Sequence, residues 1–350
     1  MPTRPELRLV LVGLGQVSRR LLGLLDASRE QLPFTWRLAG VCARSRGGLL
    51  DPAGLDHQAI LDSLGSRRAW PDAGPGDGEA FLADALPILH DACANGRVVV
   101  VETTVLDASR GEPALSHVRL ALDARAHVVT ANKGPAAFAY HELAALAGRV
   151  NRAFLFDSAV MDGVPVFSLV ADTMPALNVR AFRGVVNTTC GYILTAMERG
   201  VPFADALATM QAQSIAEADL GLDIDGWDAA AKTAVLANVL LDARITPHEV
   251  ARAGIRTLDP DELQRGVAQG LRLRLVSHGR REGGRIVVGA APVWIDQGDA
   301  LASVTGLANA LYLTTDHLGE IGIVQRDGGL TQTAYGLLAD LARISRQSLG

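Results

Sequence analysis

Strand and helix signals alternate over the first 150 residues, which predicts an α/β protein whose N-terminal part is a doubly wound parallel sheet. Beyond about residue 150 the alternation stops. Strand signals then follow one another without regular crossovers, which predicts a second, α+β part built on a mixed or antiparallel sheet. A third observation supports the parallel sheet: Val98-Val99-Val100-Val101 is an unbroken apolar run, the pattern of a strand covered by helices on both faces.

The first strand signal, Leu7 to Val12, ends at Gly13, and helical periodicity follows from Val17 to Leu25. A second strand, Trp36 to Ala43, stops at the polar turn Arg44-Ser45-Arg46-Gly47-Gly48. Pro71 to Gly78, rich in proline and glycine, reads as a surface loop. His127 to Thr130 is a short strand ending at Ala131-Asn132-Lys133-Gly134-Pro135. In the second part Phe154 to Phe156 and Val164 to Val170 are apolar, and Arg180 to Asn187 reads as a strand. Asp228 to Asp242 forms an Ala-rich helical segment and Asp261 to Gly270 another, while Leu271 to Val276, Arg285 to Trp294 and Gly319 to Val324 read as strands. Thr333 to Ser345 is amphipathic at helical spacing and is expected to return to the first domain.

Composition excludes several classes. A chain of 350 residues suits about two domains, and 49% hydrophobic against 20% charged residues excludes a disordered chain. Lys plus Arg number 33 against 38 acidic residues, a net charge of -5, so the basic stripe needed for nucleic acid is missing; aromatics at 5% point the same way. The three cysteines, Cys42, Cys93 and Cys190, form no CxxC, and the eight histidines show no metal-ligand spacing. No stretch approaches the roughly 18 uninterrupted apolar residues of a membrane span, and the N-terminus lacks the order of a secretory signal. The expectation is a soluble, cytoplasmic protein acting on a small molecule, with no nucleic-acid or membrane partner.

Five segments carry candidate chemistry. Gly13-Leu14-Gly15-Gln16-Val17-Ser18 lies between a strand and a helix; Gly13 permits the tight turn and Gly15 lets a diphosphate approach the helix N-terminus. This favours a Rossmann dinucleotide site over an ordinary Gly-rich turn. A carboxylate that would grip a ribose 2′-OH is absent between Leu38 and Leu50; Arg44 and Arg46 stand there instead and suit a 2′-phosphate, so the expected cofactor is NADP, with NAD as the alternative. The bland reading makes both arginines solvated loop charges. Lys133 sits at a strand's C-terminal end, where ligands of such sheets bind, and Thr103 and Thr104 end the preceding strand on the same edge. Position alone also allows a plain surface lysine.

The densest cluster comes later. Glu217, Asp219, Asp223, Asp225 and Asp228 fall within twelve residues, followed by Lys232. Asp228 and Lys232, four apart, share one helical face and could relay a proton to or from a substrate hydroxyl, while the other carboxylates would suit an ammonium. The alternative is a capped helix with a solvated acidic lead-in. The spacing does not fit a calcium loop of the EF-hand type. Asn187-Thr188-Thr189-Cys190-Gly191-Tyr192 offers hydroxyls, an amide and a thiol; Cys190 is read as packing, with a thioester-forming nucleophile as the rival.

Taken together, Gly13 to Val17, Thr130 to Lys133, Gly184 to Leu194, and Glu217-Ala218-Asp219 continuing to Asp223-Ile224-Asp225-Gly226-Trp227-Asp228 and Lys232 resemble homoserine dehydrogenase over nearly the whole chain. The resemblance implies NAD(P)-dependent interconversion of aspartate 4-semialdehyde and homoserine, on the route to threonine and methionine. It implies Lys232 as the catalytic lysine with Asp228 beside it, Glu217 and Asp223 as substrate-binding carboxylates, Thr189 at the substrate loop, and Lys133 between cofactor and substrate. It further implies a Rossmann domain over residues 1–150, a substrate-binding and dimerisation domain over 151–330 and a homodimer. The regulatory ACT domain that many members carry is not expected, nor is feedback inhibition through it.

The sequence departs from the family pattern at Ser18, where the third glycine is usual, and at Thr188-Thr189-Cys190-Gly191. It departs again at Gln325-Arg326-Asp327-Gly328-Gly329 and across Asp157 to Gly163, where some members hold a monovalent cation; such an ion near Asp157 and Val160 is the sole metal expectation. Two rivals stay open: a thiol-dependent semialdehyde dehydrogenase using Cys190, and a non-catalytic nucleotide-sensing protein.

Overall fold

A computed structural model describes residues 4–65, 69–71, 73–92, 97–212 and 220–346. The chain divides into two compact units, Met1–Ala159 with Leu330–Gly350, and Val160–Gly329.

In the first unit β1 (Glu6–Val12), β2 (Thr35–Ala43), β3 (Gly47–Leu50), β4 (Arg97–Glu102), β5 (His127–Thr130) and β6 (Phe154–Leu155) form one six-stranded sheet in the order β3-β2-β1-β4-β5-β6. All neighbours are parallel except β2 and β3. Arg44 to Arg46 form the turn expected after Ala43, and from Gly47 the chain continues as an antiparallel edge strand instead of extending the turn through Gly48. Gly47, at φ +91°, has its Cα against Ala73, where a side chain would collide, and this lets the chain reverse. Between the strands lie α1 (Gln16–Ala27), α2 (His57–Asp62), α3 (Gly78–Ala92), α4 (Ala114–Asp123) and α5 (Gly134–Val150).

Helix α1 buries Ser18, Leu21, Leu22 and Leu25, one stripe at helical spacing, in a core with Leu7, Leu9 and Leu11. The C-terminal helix Leu330–Arg346 packs on α1 through Ala334, Leu337, Leu338 and Leu341. Buried Arg97 donates to the Ile344 carbonyl at 2.6 Å near the end of that helix. The strand order reverses direction between β1 and β4, the place where open α/β sheets take their ligands.

In the second unit β7 (Val179–Val185), β8 (Ala251–Arg252), β9 (Leu271–Glu282), β10 (Arg285–Asp296), β11 (Asn309–Thr315) and β12 (Glu320–Gln325) form a mixed sheet in the order β12-β11-β7-β9-β10-β8. Its pairs are antiparallel except β10 with β8. Gly283-Gly284, both at positive φ, turn β9 into β10, which makes those strands longer than the apolar runs alone suggest.

Helices α6 (Val166–Thr173), α7 (Thr188–Glu198), α8 (Phe203–Ala212), α9 (Gly221–Ile224), α10 (Trp227–Leu240) and α11 (Pro260–Ala268) complete the unit. Helix α10 packs on β9 and β10, and its small alanines are buried along most of its length. The strand expected through Asn187 stops at Val185, and Asn187 caps α7 instead. Fully buried Arg274 pins the far end of α7 to β9, donating to Glu198 at 2.7 Å and to the Ala302 carbonyl at 2.8 Å.

Candidate active site

Each unit carries one half of the chemistry expected from the sequence. In the first, the β1–α1 turn is built around Gly13. Its φ is +91°, and a Cβ there would stand 2.8 Å from the Thr103 carbonyl oxygen, so only glycine allows the ends of β1 and β4 to approach. At Gly15, the N-cap of α1, a Cβ would meet nothing, and Gly15 and Gln16 are exposed while Val17 is half-buried. The first N–H groups of α1 thus face an open approach, which fits a diphosphate.

Ser18 replaces the usual glycine and has its own work here. Its hydroxyl donates to the Gly13 carbonyl at 2.7 Å and lies 2.5 Å from Thr103 Oγ1, tying the turn to the end of β4. The Thr103 hydroxyl also reaches the Gly13 carbonyl at 3.0 Å. Thr104 donates through both its N–H and its hydroxyl to buried Glu102, which also accepts from Thr130 at 3.1 Å. Asn132 links the same strand ends, donating to the Thr104 carbonyl at 3.0 Å and accepting from Gly134 N–H at 2.8 Å. Lys133 follows as the half-buried N-cap of α5.

The two arginines after β2 part company. Arg44 is exposed, whereas Arg46 is 8% exposed and its guanidinium donates to the Ser63 and Leu64 carbonyls, at 3.5 and 3.2 Å. Asp157 is buried in a short 3-10 turn, and its N–H donates to the carboxylate of Asp340 at 3.2 Å. Burial, with the Asp157 carboxylate adding to it, pushes the Asp340 carboxyl well above the usual range. Val160 is buried in the second unit. Among the described residues no group of three or more His, Cys, Asp or Glu is arranged to hold a metal, and no helix is long and apolar enough to cross a membrane.

In the second unit three consecutive residues, Val186, Asn187 and Thr188, between them hold four charged groups. Lys232 Nζ donates to the Val186 carbonyl at 2.5 Å and stands 3.3 Å from Asp228 Oδ2. The Asn187 amide donates to Asp223 at 2.7 Å and to Asp228 at 2.8 Å, while its oxygen accepts from Cys190 N–H and caps α7. Thr188 Oγ1 lies 3.1 Å from Asp162 Oδ2. Gly226, at φ +80° and close to the Ala253 carbonyl, starts α10 so that Asp228 falls in its first turn and Lys232 one turn later.

Lys232 is 8% exposed. Burial alone would lower its pKa, but the carboxylates of Asp228, Asp162 and Asp223 reverse this and raise it, so the side chain is an ammonium at neutral pH. Cys190 is different. Burial, and then Asp223 and Asp228, push its thiol well up, and its Sγ donates to the Asp223 carbonyl at 3.3 Å. A thiol held protonated in this way is a poor nucleophile, which disfavours the thioester rival.

Asp225 turns away from this group to pair with Arg256 at 2.6 Å, and Thr189 is buried in the first turn of α7. Glu217 and Asp219 lie outside the described residues. Sequence reasoning missed Asn187 as the organising amide, met Asp162 only as part of the Asp157 to Gly163 stretch, and missed Asn309. For Asn187 a signal existed: Asn three residues ahead of Cys190 at the end of a strand is N-cap spacing.

The family model described as homoserine dehydrogenase matches residues 165–342. The NAD(+)-dependent homoserine dehydrogenase of Pseudomonas canavaninivorans is 34% identical over 348 residues, 98% of this chain and 97% of that one. The homoserine dehydrogenase of Methanocaldococcus jannaschii is 30% identical over 96% of this chain and 98% of its own. Among solved structures, a putative homoserine dehydrogenase from Archaeoglobus fulgidus aligns with a TM-score of 0.81 at 27% identity, covering 97% of this chain and 99% of that one. The chain belongs to the homoserine dehydrogenase family, oxidoreductases that act on a CH–OH group with a nicotinamide cofactor.

Proposed function

We propose that the protein interconverts aspartate 4-semialdehyde and homoserine, with Lys232 as the acid of the reduction and the base of the oxidation. The observation that carries this reading is a buried lysine kept charged by carboxylates on separate elements, in a chain that also has a dinucleotide turn. A nicotinamide held at the β1–α1 turn would supply the hydride for the aldehyde carbon. The protein's own part is to bind, orient and manage one proton.

Two of the three Lys232 N–H bonds are accounted for by Val186 and Asp228, and we assign the third to the substrate oxygen. As negative charge grows on that oxygen the ammonium stabilises it and then gives up its proton. Asp228 holds the lysine charged and oriented, and Asn187 holds Asp228 and Asp223 in place. The carboxylates around Lys232 outnumber its single positive charge, which suits a substrate bearing an ammonium group; we assign that anchoring to Asp223 together with Glu217, with Thr189 and Lys133 as further contacts of the bound amino acid.

For the cofactor, exposed Arg44 supports NADP as the preferred dinucleotide, since its guanidinium can meet a 2′-phosphate. The name of the Pseudomonas canavaninivorans relative and the attachment of Arg46 to main-chain carbonyls favour a second reading, use of NAD. The family resemblance further supports a cytoplasmic homodimer on the route to threonine and methionine. The test is spectrophotometric: purified protein with aspartate 4-semialdehyde should oxidise NADPH, and in reverse should reduce NADP with homoserine. Binding of the dinucleotide without turnover in either direction would support the sensor rival instead.

A further inference from the structure

Asp162, which precedes α6, is the least expected member of the Lys232 group. Its backbone is left-handed, φ +43°, followed by Gly163 at +79°, a conformation that aspartate and asparagine tolerate better than other side chains. One carboxylate oxygen, Oδ2, lies 3.1 Å from the Thr188 hydroxyl and accepts from Asn309 Nδ2 at 3.2 Å. Fully buried Asn309 is itself held by Gln325 at 3.1 Å, and Gln325 donates to the Asp162 main-chain carbonyl at 3.2 Å.

The carboxylate rests against Gly328: a Cβ there would lie 2.4 Å from Asp162 Oδ2 and 2.8 Å from Asn309 Nδ2. So β11, the first turn of α7 and a glycine converge on this one carboxylate, while Gln325 of β12 holds the Asp162 main chain. Asparagine could satisfy both the backbone and these hydrogen bonds, so what aspartate adds is its charge. Three negatively charged neighbours of Lys232 then come from three segments, Asp228 from α10, Asp223 from α9 and Asp162 from the approach to α6, with the protonated Cys190 thiol facing from α7.

We propose that Asp162, fixed by Thr188 on the same turn whose Val186 carbonyl binds Lys232, is a positioning residue whose charge favours the ammonium form of Lys232 and so sets the pH at which the enzyme passes from aldehyde reduction to alcohol oxidation. This rests on the reaction proposed above. Removing the charge weakens the ammonium's hold on its proton. The amine form needed for oxidation then appears at lower pH, and the acid form needed for reduction is lost at lower pH.

The test is the pair of pH–rate profiles, homoserine oxidation and semialdehyde reduction, for the wild type and Asp162→Asn at saturating cofactor. Asp162→Asn should shift the acid limb of oxidation and the alkaline limb of reduction together to lower pH, by about 0.5–1 unit, with the cofactor KM unchanged. Gly328→Ala, which displaces the carboxylate sterically, should shift both limbs the same way and stands in if Asp162→Asn does not fold. Unshifted limbs in an active, folded variant would overturn the proposal, as would a folded Asp162→Asn without activity at any pH, since a positioning charge moves a profile and does not abolish it. A wild type inactive in both directions would instead contradict the reaction itself.

Discussion

Lys232 donates to the main-chain carbonyl of Val186, the residue between the end of β7 and the Asn187 cap of α7. The ammonium on α10 and the carboxylates that govern it are therefore referred to one short turn. Asn187 and Thr188 continue that turn and bind Asp223, Asp228 and Asp162. A turn fixed by a strand on one side and a capped helix on the other suits the orientation that the proton-transfer role proposed for Lys232 requires.

The charge state of Lys232 gives a pH expectation. Its pKa is raised in the folded protein above its usual 10.5. On the mechanism proposed for Lys232, semialdehyde reduction needs the ammonium and should stay flat through neutral pH and fall only in the alkaline range. Homoserine oxidation, which needs the neutral amine, should climb steadily from about pH 8 to above 10. Rate profiles in both directions check this; an oxidation rate already level at pH 7 would contradict it.

Ser18 should matter more than its place in a glycine position suggests. Ser18→Gly removes the hydroxyl that ties the Gly13 carbonyl to Thr103, and should cost about 0.5–1.5 kcal/mol of stability and raise the cofactor KM. Ser18→Ala should raise the cofactor KM alike, since it loses the same contacts, but should cost less stability, because alanine suits the helix better than glycine. Denaturant melts and cofactor titrations read the two effects.

The arginines after β2 should separate by phenotype. Arg44→Ala should weaken NADPH about 10- to 100-fold, the range lost with a charge-assisted contact, and leave NADH nearly untouched. Arg46→Ala should lower the melting temperature and affect both cofactors equally, since its guanidinium holds the Ser63 and Leu64 carbonyls. Equal losses for the two cofactors in Arg44→Ala would favour the NAD reading.

Asp340 provides a stability expectation. Its folded pKa is raised above the ordinary 3.8, so its contribution to stability is greatest below pH 3.8 and is lost as pH rises toward the folded value. Asp340→Asn keeps an oxygen to accept from Asp157 N–H and removes the buried charge. It should raise the melting temperature at pH 8 by about 2–4 °C for each kcal/mol recovered, with the gain shrinking toward pH 4. A variant less stable than the wild type at pH 8 would contradict this.

Much of the fold was legible because local patterns agreed with tertiary burial. The Val98 to Val101 run lies in β4, buried on both faces, and the Leu7 to Val12 run lies in β1 with Gly13 at its end. The Asp228–Lys232 spacing gave the ion pair directly, since helical period fixes neighbours four apart. What stayed hidden depends on distant pairing. The Gly47–Leu50 strand exists because Gly47 and Gly48 can pack against Ala73 and Phe81, and Asn309 joins Asp162 across 147 positions of sequence. Arg46 looked like its neighbour Arg44, and nothing local told that its guanidinium would meet the carbonyls of Ser63 and Leu64.

The most direct measurement is the single-site variant Lys232→Ala, assayed for semialdehyde reduction alongside a fluorescence titration of NADPH binding. Turnover should fall by about 10²- to 10⁴-fold, the range expected for loss of a general acid, while the dissociation constant for NADPH stays as in the wild type. Near-native turnover in this variant would contradict the role assigned to Lys232 and the mechanism built on it.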